Sequence, residues 1–246
     1  MSMSRVILFL SLALVACGRP KPQVSPGPEV VLSQARREFR GGEFQKALVS
    51  FQRATFELPP GHVDVPEAMY YLGETYFQTS QWLQAANEFR KVADEHPTSR
   101  YAPLGLLRAG DAHLRIWRRP ELDPTSGRTA LAIYQELAGR YPATDAAARA
   151  QIHVRQLRDW FANKAYQNGL FYLRRKAYDS AIIYFKDVVA NYPETPHAAS
   201  ALLRLVDTYR TIGYQEEVRE TCEHLRRFYA PAPGVLDQCP AVPGAS

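Results

Sequence analysis

The sequence predicts an all-α fold in which about five helix–turn–helix repeats stack into a solenoid. Prolines recur along the chain, and an apolar pattern with fixed offsets precedes each of them. No alternating run of β-branched residues indicates a strand. Because self-similarity over roughly 20 to 50 residues is the sequence signature of repeat architectures, these observations favour a helical array over a generic bundle.

The repeated pattern is a stripe of three residues on one helix. An Ala or equivalent lies twelve residues before the proline, an aromatic residue eight before it, and an Ala, Val or Leu five before it. Offsets of four and three place these residues on one helical face. A fifth, weaker instance is Val218-Cys222-Leu225, where Pro231 comes one residue late. The four clear instances are Ala47-Phe51-Ala54-Pro59, Ala85-Phe89-Val92-Pro97, Ala130-Tyr134-Leu137-Pro142 and Ala181-Phe185-Val188-Pro193.

Another helix precedes each stripe. In the second repeat it carries Gly73 and Tyr76, and in the fourth it carries Gly169 and Tyr172. These helix pairs resemble the tetratricopeptide consensus, a helix–turn–helix of about 34 residues. In that consensus, small residues let the two helices approach closely, and aromatic residues fill the space between neighbouring repeats. We therefore predict a tetratricopeptide-type solenoid over residues 29–232.

The third and fourth repeats are longer than the consensus. A polar loop with two prolines, residues 118–127, is inserted between the helices of the third repeat. Further extra residues fall in residues 144–164, which we predict to form one long helix or two merged helices. After Pro231 the chain is proline-rich, and residues 233–246 are predicted to be an irregular tail.

The first residues are typical of a secreted precursor. Arg5 supplies a positive charge, and residues 6–15 are an apolar run broken only by Ser11. A membrane-spanning helix needs roughly 20 apolar residues, so this run suits a signal peptide, predicted over residues 1–16. The segment ends in Leu14-Val15-Ala16-Cys17, which resembles a lipobox. Cys17 is therefore predicted to be lipidated, the alternative being an ordinary signal peptide with an incidental cysteine.

The residues after Cys17 predict where the protein is held. Gly18 rather than Asp follows the cysteine, and in enteric bacteria this favours the outer membrane over retention at the inner membrane. Residues 17–28 are rich in proline and poor in large apolar side chains, which is typical of a semi-rigid tether. We expect a body anchored through lipid to the periplasmic face of the outer membrane.

Cys222 and Cys239 remain as an even pair once Cys17 is lipidated. The periplasm is oxidising, so a disulfide between them is permitted. Cys222 falls on a helical face that should be buried. A disulfide and two separate buried or partly buried thiols both remain open from the sequence.

Signatures of catalysis and metal binding are missing from the sequence. It contains no G-x-S-x-G, no phosphate-binding glycine loop and no dinucleotide fingerprint. No two of the six histidines lie three or four residues apart, so no helical zinc pair is present. The formal net charge is only +5, whereas nucleic-acid binders concentrate more positive charge on one face. We therefore predict a binding protein, not an enzyme, with no cofactor, no metal and no nucleic-acid partner.

The lipobox, the short tether and the five repeats together resemble the BamD (YfiO) family of lipoproteins. The resemblance is most specific from Asp123-Pro124 through Tyr141-Pro142 to Tyr192-Pro193. It implies a scaffold of the outer-membrane β-barrel assembly machinery that binds the periplasmic domains of BamA, other assembly-complex lipoproteins and unfolded outer-membrane proteins. The alternative is another periplasmic repeat lipoprotein that coordinates cell-wall synthesis or pilus and secretin assembly. The cysteine pair departs from the family pattern.

Candidate binding residues lie on the first helices of repeats one and two, because the first helix of each tetratricopeptide repeat lines the concave surface. We predict a groove that holds the C-terminal aromatic residue of outer-membrane substrates, with Arg36 or Arg40 pairing with the terminal carboxylate. The alternative is that Phe39 and Phe77 pack between repeats and the arginines are solvated. The predicted groove residues are Leu32, Arg36, Phe39, Arg40, Tyr70, Glu74 and Phe77.

A basic stretch from Arg149 to Lys176 contains seven basic residues and one acidic residue, Asp159. One interpretation is a solvated helix face. The other is a docking surface for an acidic periplasmic domain such as those of BamA, or for anionic lipid headgroups, since electrostatic complementarity tunes association rate and partner choice. The predicted docking residues are Arg149, Arg155, Arg158, Lys164, Arg174 and Arg175.

Overall fold

The computed structural model describes residues 27–118 and 123–240, in which every regular element is an α-helix. The predicted signal peptide, Cys17 and most of the predicted tether lie outside these residues. None of the described helices is both long enough and apolar enough to span a membrane. The helices are α1 (Pro28–Arg40), α2 (Phe44–Glu57), α3 (Val65–Gln78), α4 (Trp82–Glu95), α5 (Tyr101–Ile116), α6 (Thr125–Arg140), α7 (Asp145–Arg174), α8 (Tyr178–Asn191), α9 (Pro196–Ile212), α10 (Gln215–Phe228) and α11 (Val235–Gln238).

The first ten helices pair into antiparallel hairpins, α1–α2, α3–α4, α5–α6, α7–α8 and α9–α10. Each hairpin packs on the next one. The first helices also contact one another directly, α3 with α5, α5 with α7 and α7 with α9, so they form one layer of the array. The predicted all-α tetratricopeptide-type solenoid of five repeats is confirmed.

The recurring prolines mark where the second helix of each of the first four repeats ends. Proline lacks a backbone N–H and disfavours the helical conformation in the residue before it, so a helix stops just upstream. In each case the helix ends two residues before the proline. The helix ends and their prolines are Glu57 with Pro59, Glu95 with Pro97, Arg140 with Pro142 and Asn191 with Pro193.

In the three middle repeats a glycine of the first helix faces the aromatic residue of the stripe on the second helix. A β-carbon at any of these glycines would lie 2.4–2.7 Å from the facing ring, closer than real side chains approach one another. All three rings are fully buried. Glycine is therefore required here, and the small–large match sets the distance between the paired helices. The pairs are Gly73 with Phe89, Gly110 with Tyr134 and Gly169 with Phe185.

The first and last repeats lack the glycine–aromatic pair of the three middle repeats and have other residues at those positions. In the first repeat, Ala35 lies sixteen residues before Phe51, the spacing of Gly73 and Phe89, and both side chains are fully buried. In the last repeat the aromatic residue is replaced by Cys222, which is bonded to Cys239 in a disulfide with a Cα–Cα distance of 5.2 Å. The pair that the sequence left open is thus joined in the structure.

The described part of the tail folds back onto the last repeat, and within the predicted irregular tail the structure has one short helix, α11. The short helix α11 contacts α9 and α10, and Val235 and Cys239 are 0% and 1% exposed. Arg226 donates a hydrogen bond to the Pro240 carbonyl at 3.2 Å. A terminal repeat lacks a neighbour on one side, and this segment covers the apolar surface that would otherwise be exposed. Residues 241–246 lie outside the described part of the chain.

The longest helix, α7, has 30 residues and is about 45 Å long. Thr144 caps its start, because the Thr144 hydroxyl accepts a hydrogen bond from the Ala147 N–H at 3.1 Å. For residues 144–164 the sequence left open one long helix or two merged helices, and the structure has one helix, which continues as the first helix of the fourth repeat. It contacts α5 and α6 as well as α8 and α9, and so ties the two repeats together.

The loop inserted in the third repeat is held by Trp117 at its start. The Trp117 indole N–H donates to the Asp123 carbonyl at 2.8 Å. Gly127 leaves room for the indole, since a β-carbon there would lie 2.7 Å from the ring. The Trp117 ring also lies 4.7 Å from the Trp160 ring of α7. The insertion is therefore packed against α7 at its ends, and residues 119–122 lie outside the described residues.

Replacing Gly110 with alanine tests the close approach of helix and ring. The new β-carbon would meet Tyr134, whose hydroxyl is held by Asp111 at 2.8 Å and resists displacement. We expect Gly110→Ala to lower the free energy of unfolding by about 1–3 kcal/mol, measured from urea denaturation midpoints. Gly139→Ala in α6 is the control, because nothing lies within 4 Å of its β-carbon. Equal midpoints for the two variants would contradict the packing role.

Candidate functional site

Three of the seven predicted groove residues are buried, so the prediction that they line an exposed groove is wrong. Leu32, Glu74 and Phe77 are 1%, 9% and 9% exposed. Leu32 belongs to the core between the first two repeats. Phe77 lies beneath the Arg108 guanidinium at 3.9 Å and packs edge-on against Trp82 at 4.9 Å. The alternative interpretation, in which Phe77 packs inside the array, describes the structure.

The other predicted residues of α1 come together in a small pocket between the first two repeats. Its lining residues are Arg36, Phe39, Arg40, Glu67 and Tyr71. Phe39 is half-buried and its ring lies 5.4 Å from the Tyr71 ring. Arg36 donates to the Glu67 carboxylate at 2.7 Å, so its charge is already paired within the chain. Arg40 is exposed at the edge, and we name this the Arg40 pocket.

The remaining predicted residue, Tyr70, and the buried Glu74 belong to a polar network that joins the second and third repeats, which we name the inner network. Arg108 makes a two-pronged hydrogen bond to the Glu74 carboxylate, with distances of 2.6 and 2.8 Å. The Tyr70 hydroxyl donates to Glu74 at 2.9 Å, and Arg108 also pairs with Asp111 at 3.0 Å. Asp111 in turn accepts the hydrogen bond from Tyr134. Every charge in this network has a partner, as burial demands.

Burial also keeps the two tyrosine hydroxyls of this network protonated. Burial, followed by the negative charge of Glu74, raises the pKa of Tyr70. Burial and then Asp111 raise the pKa of Tyr134 in the same way. Both hydroxyls therefore stay protonated and keep donating to the carboxylates. The network stabilises the array and leaves no free charge for a ligand.

The six predicted docking residues do not form one surface, because α7 is a single helix that advances about 100° and 1.5 Å per residue. Arg155 and Arg158 lie about 100° and about 160° around the helix from Arg174. Arg158 is paired within the chain, donating to the Glu194 carboxylate at 2.9 Å and to the Asn191 carbonyl at 2.6 Å. Arg149 is exposed but lies about 16 Å along the helix before Trp160.

The second half of α7 brings the other predicted basic residues onto one face with two aromatic rings. Lys164 Nζ lies 5.4 Å from the centre of the Trp160 ring. The Arg175 guanidinium lies 3.5 Å from the centre of the Phe171 ring, which is 41% exposed. Cations over aromatic faces are attracted by the ring electrons. We name this surface the Trp160 stripe, defined by Trp160, Lys164, Gln167, Phe171, Arg174 and Arg175.

Sequence reasoning missed the aromatic members of both surfaces. Trp160 and Phe171 carry no charge and do not stand out within the basic stretch, although their positions with Lys164 and Gln167 follow the helical spacing of four, three and four. Tyr71 was missed for another reason. Its neighbour Tyr70 was assigned to the groove, and only the packing of α1 on α3 decides which of the two rings faces Phe39.

The described residues hold no group of three or more histidine, cysteine or acidic side chains that could bind a metal ion. Among the histidines, His113 is half-buried on α5. Burial and then the charge of Arg90 lower the pKa of His113. The His113 imidazole is therefore neutral and packed, which suits a structural role.

A profile of the YfiO family, described as outer membrane lipoprotein, matches residues 28–225 of this chain. The chain belongs to this family. The matched region begins with α1 and reaches into α10, so the YfiO resemblance covers the whole repeat array together with the Arg40 pocket and the Trp160 stripe.

Curated YfiO-family relatives come from several bacteria, and each is named outer membrane protein assembly factor BamD. The relative from Caulobacter vibrioides is 26% identical over 190 residues, which span 62% of this chain and 62% of that protein, less than two thirds of its length. The Vibrio cholerae relative is 23% identical over 87% of this chain and 93% of its own length. Among solved structures, a thermophilic TPR protein of Thermus thermophilus is 19% identical, with 86% and 96% of the two chains covered and a TM-score of 0.40.

Neutralising Glu74 tests whether the inner network of this YfiO-family array is structural. Glu74→Gln leaves the half-buried Arg108 without its two-pronged acceptor, and we expect a loss of about 1–3 kcal/mol in the free energy of unfolding. Glu216→Gln removes an exposed pair with Arg219 and is the matched control, expected to leave the urea midpoint unchanged. Equal effects of the two substitutions would argue against a structural network.

Proposed function

We propose that this chain is a lipid-anchored periplasmic scaffold of the outer-membrane β-barrel assembly machinery. The observation that carries the proposal is membership of a family whose curated members are named outer membrane protein assembly factor BamD. A helical-repeat array suits the task because it offers extended surfaces to several partners at once. The role is one of binding and positioning, without catalysis.

The anchor in this proposal is Cys17, acylated at the end of a signal peptide. Its support is the run Leu14-Val15-Ala16-Cys17, together with a family described as outer membrane lipoprotein. Two or three acyl chains on one residue hold a protein on a membrane stably, whereas one chain is marginal. The repeat array would then stand on the periplasmic face of the outer membrane.

The Arg40 pocket is the proposed site for substrates. Phe39 and Tyr71 supply aromatic walls, and Arg40 supplies an exposed cation at the rim. A C-terminal aromatic residue with a free carboxylate matches both, since a ring packs edge-on against aromatic walls and a carboxylate forms charge-assisted hydrogen bonds with a guanidinium. Arg36 is left out of this role because Glu67 occupies it.

The Trp160 stripe is the proposed surface for BamA. Interfaces are enriched in tryptophan, tyrosine and arginine, and the stripe combines half-exposed rings with a positive charge. An acidic face on a periplasmic domain of BamA would complement it. Arg149, Arg155 and Arg158 lie off this surface and are not part of the proposed contact.

Peptides that end in phenylalanine test the Arg40 pocket. We expect the purified chain to bind them at micromolar strength, and amidation of the peptide terminus to weaken binding by about 1–3 kcal/mol in isothermal calorimetry. Arg40→Ala should abolish the difference between free and amidated peptides. Arg37→Ala, an exposed arginine of α1 outside the pocket, should preserve it. A difference that survives in Arg40→Ala would exclude the arginine role.

Affinity purification from solubilised outer membrane tests both the assembly role and the stripe. We expect the tagged chain to recover BamA, identified by mass spectrometry. Charge reversal by Arg174→Glu with Arg175→Glu should reduce that recovery several-fold at low salt. The matched control is Arg37→Glu with Arg155→Glu, two exposed arginines off the stripe, which should recover BamA as well as the unmodified chain. Recovery of peptidoglycan-synthesis or pilus proteins without BamA would contradict the assembly role.

A further inference from the structure

Two apolar side chains at one end of the first repeat are almost fully exposed. Phe56, in the last turn of α2, is 89% exposed, and Val63, in the loop before α3, is 84% exposed. Among the exposed large apolar side chains of the described residues, the next is Ile183 at 66%. Exposed apolar side chains that lie together on a folded protein can form a contact surface, because their burial is favourable.

These side chains share one end of the molecule with the start of the described chain. Helices α1 and α2 are antiparallel, so the first turn of α1 lies beside the last turn of α2. A contact of 3.9 Å between His62 Nε2 and Glu29 Oε1 joins the loop to that first turn. We name this end the apolar tip, defined by the exposed residues Val30, Phe56, Pro59, Pro60 and Val63.

The apolar tip is the part of the array attached to the anchor. Gly27 directly precedes α1 and lies ten positions after Cys17. Ten residues of fully extended chain span at most about 36 Å. The tip is therefore confined to a layer next to the membrane that would hold the acyl chains.

Charge at the tip favours apolar insertion over attraction to anionic headgroups. The nearby cation Arg53 is paired with Glu57 at 2.7 Å. The acidic Asp64 at the end of the loop faces Arg36 at 3.7 Å. The tip thus carries no basic cluster, and its affinity for a bilayer would come from apolar area alone.

We propose that the apolar tip inserts into the headgroup–acyl boundary of the bilayer that holds the lipid anchor. The anchor alone fixes where the chain is attached, whereas insertion of Phe56 and Val63 also fixes how the array is oriented on the membrane. The inference rests on the lipidation of Cys17 proposed above. It concerns a different part of the chain, so the two can be tested separately.

Tryptophan fluorescence on the acylated, full-length protein tests the tip. The Phe56→Trp variant is reconstituted into phosphatidylcholine vesicles whose acyl chains are either brominated or unmodified. The emission of the three native tryptophans is subtracted with the unsubstituted protein. We expect brominated lipid to quench the added emission about twofold or more, with no need for anionic lipid. Ile183→Trp on α8 is the matched control, exposed but away from the tip, and should not be quenched.

Mass spectrometry of the N-terminal peptide on the same samples separates failure of the tip from failure of the anchor. An acylated peptide with no more quenching in Phe56→Trp than in Ile183→Trp would overturn the tip alone. A peptide without acyl mass would overturn the anchor and the tip together. Emission that shifts to the blue with rising protein concentration, without quenching by brominated lipid, would show that a second copy covers the tip and would also overturn the inference.

Discussion

The close approach of a glycine to an aromatic ring is the contact on which the rest of the array depends. Because Gly73, Gly110 and Gly169 carry no β-carbon, the facing rings lie against the helix backbone and are sealed from solvent. That spacing sets how each hairpin stacks and holds the first helices in one layer. The Arg40 pocket, the Trp160 stripe and the inner network apart from Tyr134 are built on those first helices, so their placement follows from this packing.

Burial decides which charges of the first-helix layer remain available to a partner. A charge removed from water has to be paired, and Glu74 and Arg108 therefore satisfy one another across two repeats. Arg36 and Arg158 are likewise held by carboxylates of the same chain. Arg40, Arg174 and Arg175 remain exposed at the surface. In the layer of first helices, the paired charges therefore stabilise the fold, whereas the exposed cations are the ones that a partner can contact.

The two ends of the solenoid are finished in different ways. Any repeat array has a terminal repeat at each end that lacks one neighbour. At the C-terminal end the chain covers its own apolar surface, with Val235 buried and Cys239 bonded to Cys222. At the other end Phe56 and Val63 stay open to solvent. One end is closed by the protein itself, and the other keeps apolar area that an external surface can bury.

The helices, the five repeats and the extra helical residues of the segment that forms α7 follow from the sequence alone. The stripe offsets are a property of a single helix, and the prolines are a property of its end. Both can therefore be recognised in the sequence without knowing which helix packs against that one. Three features depend on packing between helices: the pairing of Glu74 with Arg108, 34 residues away, the burial of Phe77 and the disulfide between Cys222 and Cys239. Those outcomes depend on which face of one helix meets which face of another, and no pattern within a single helix contains that information.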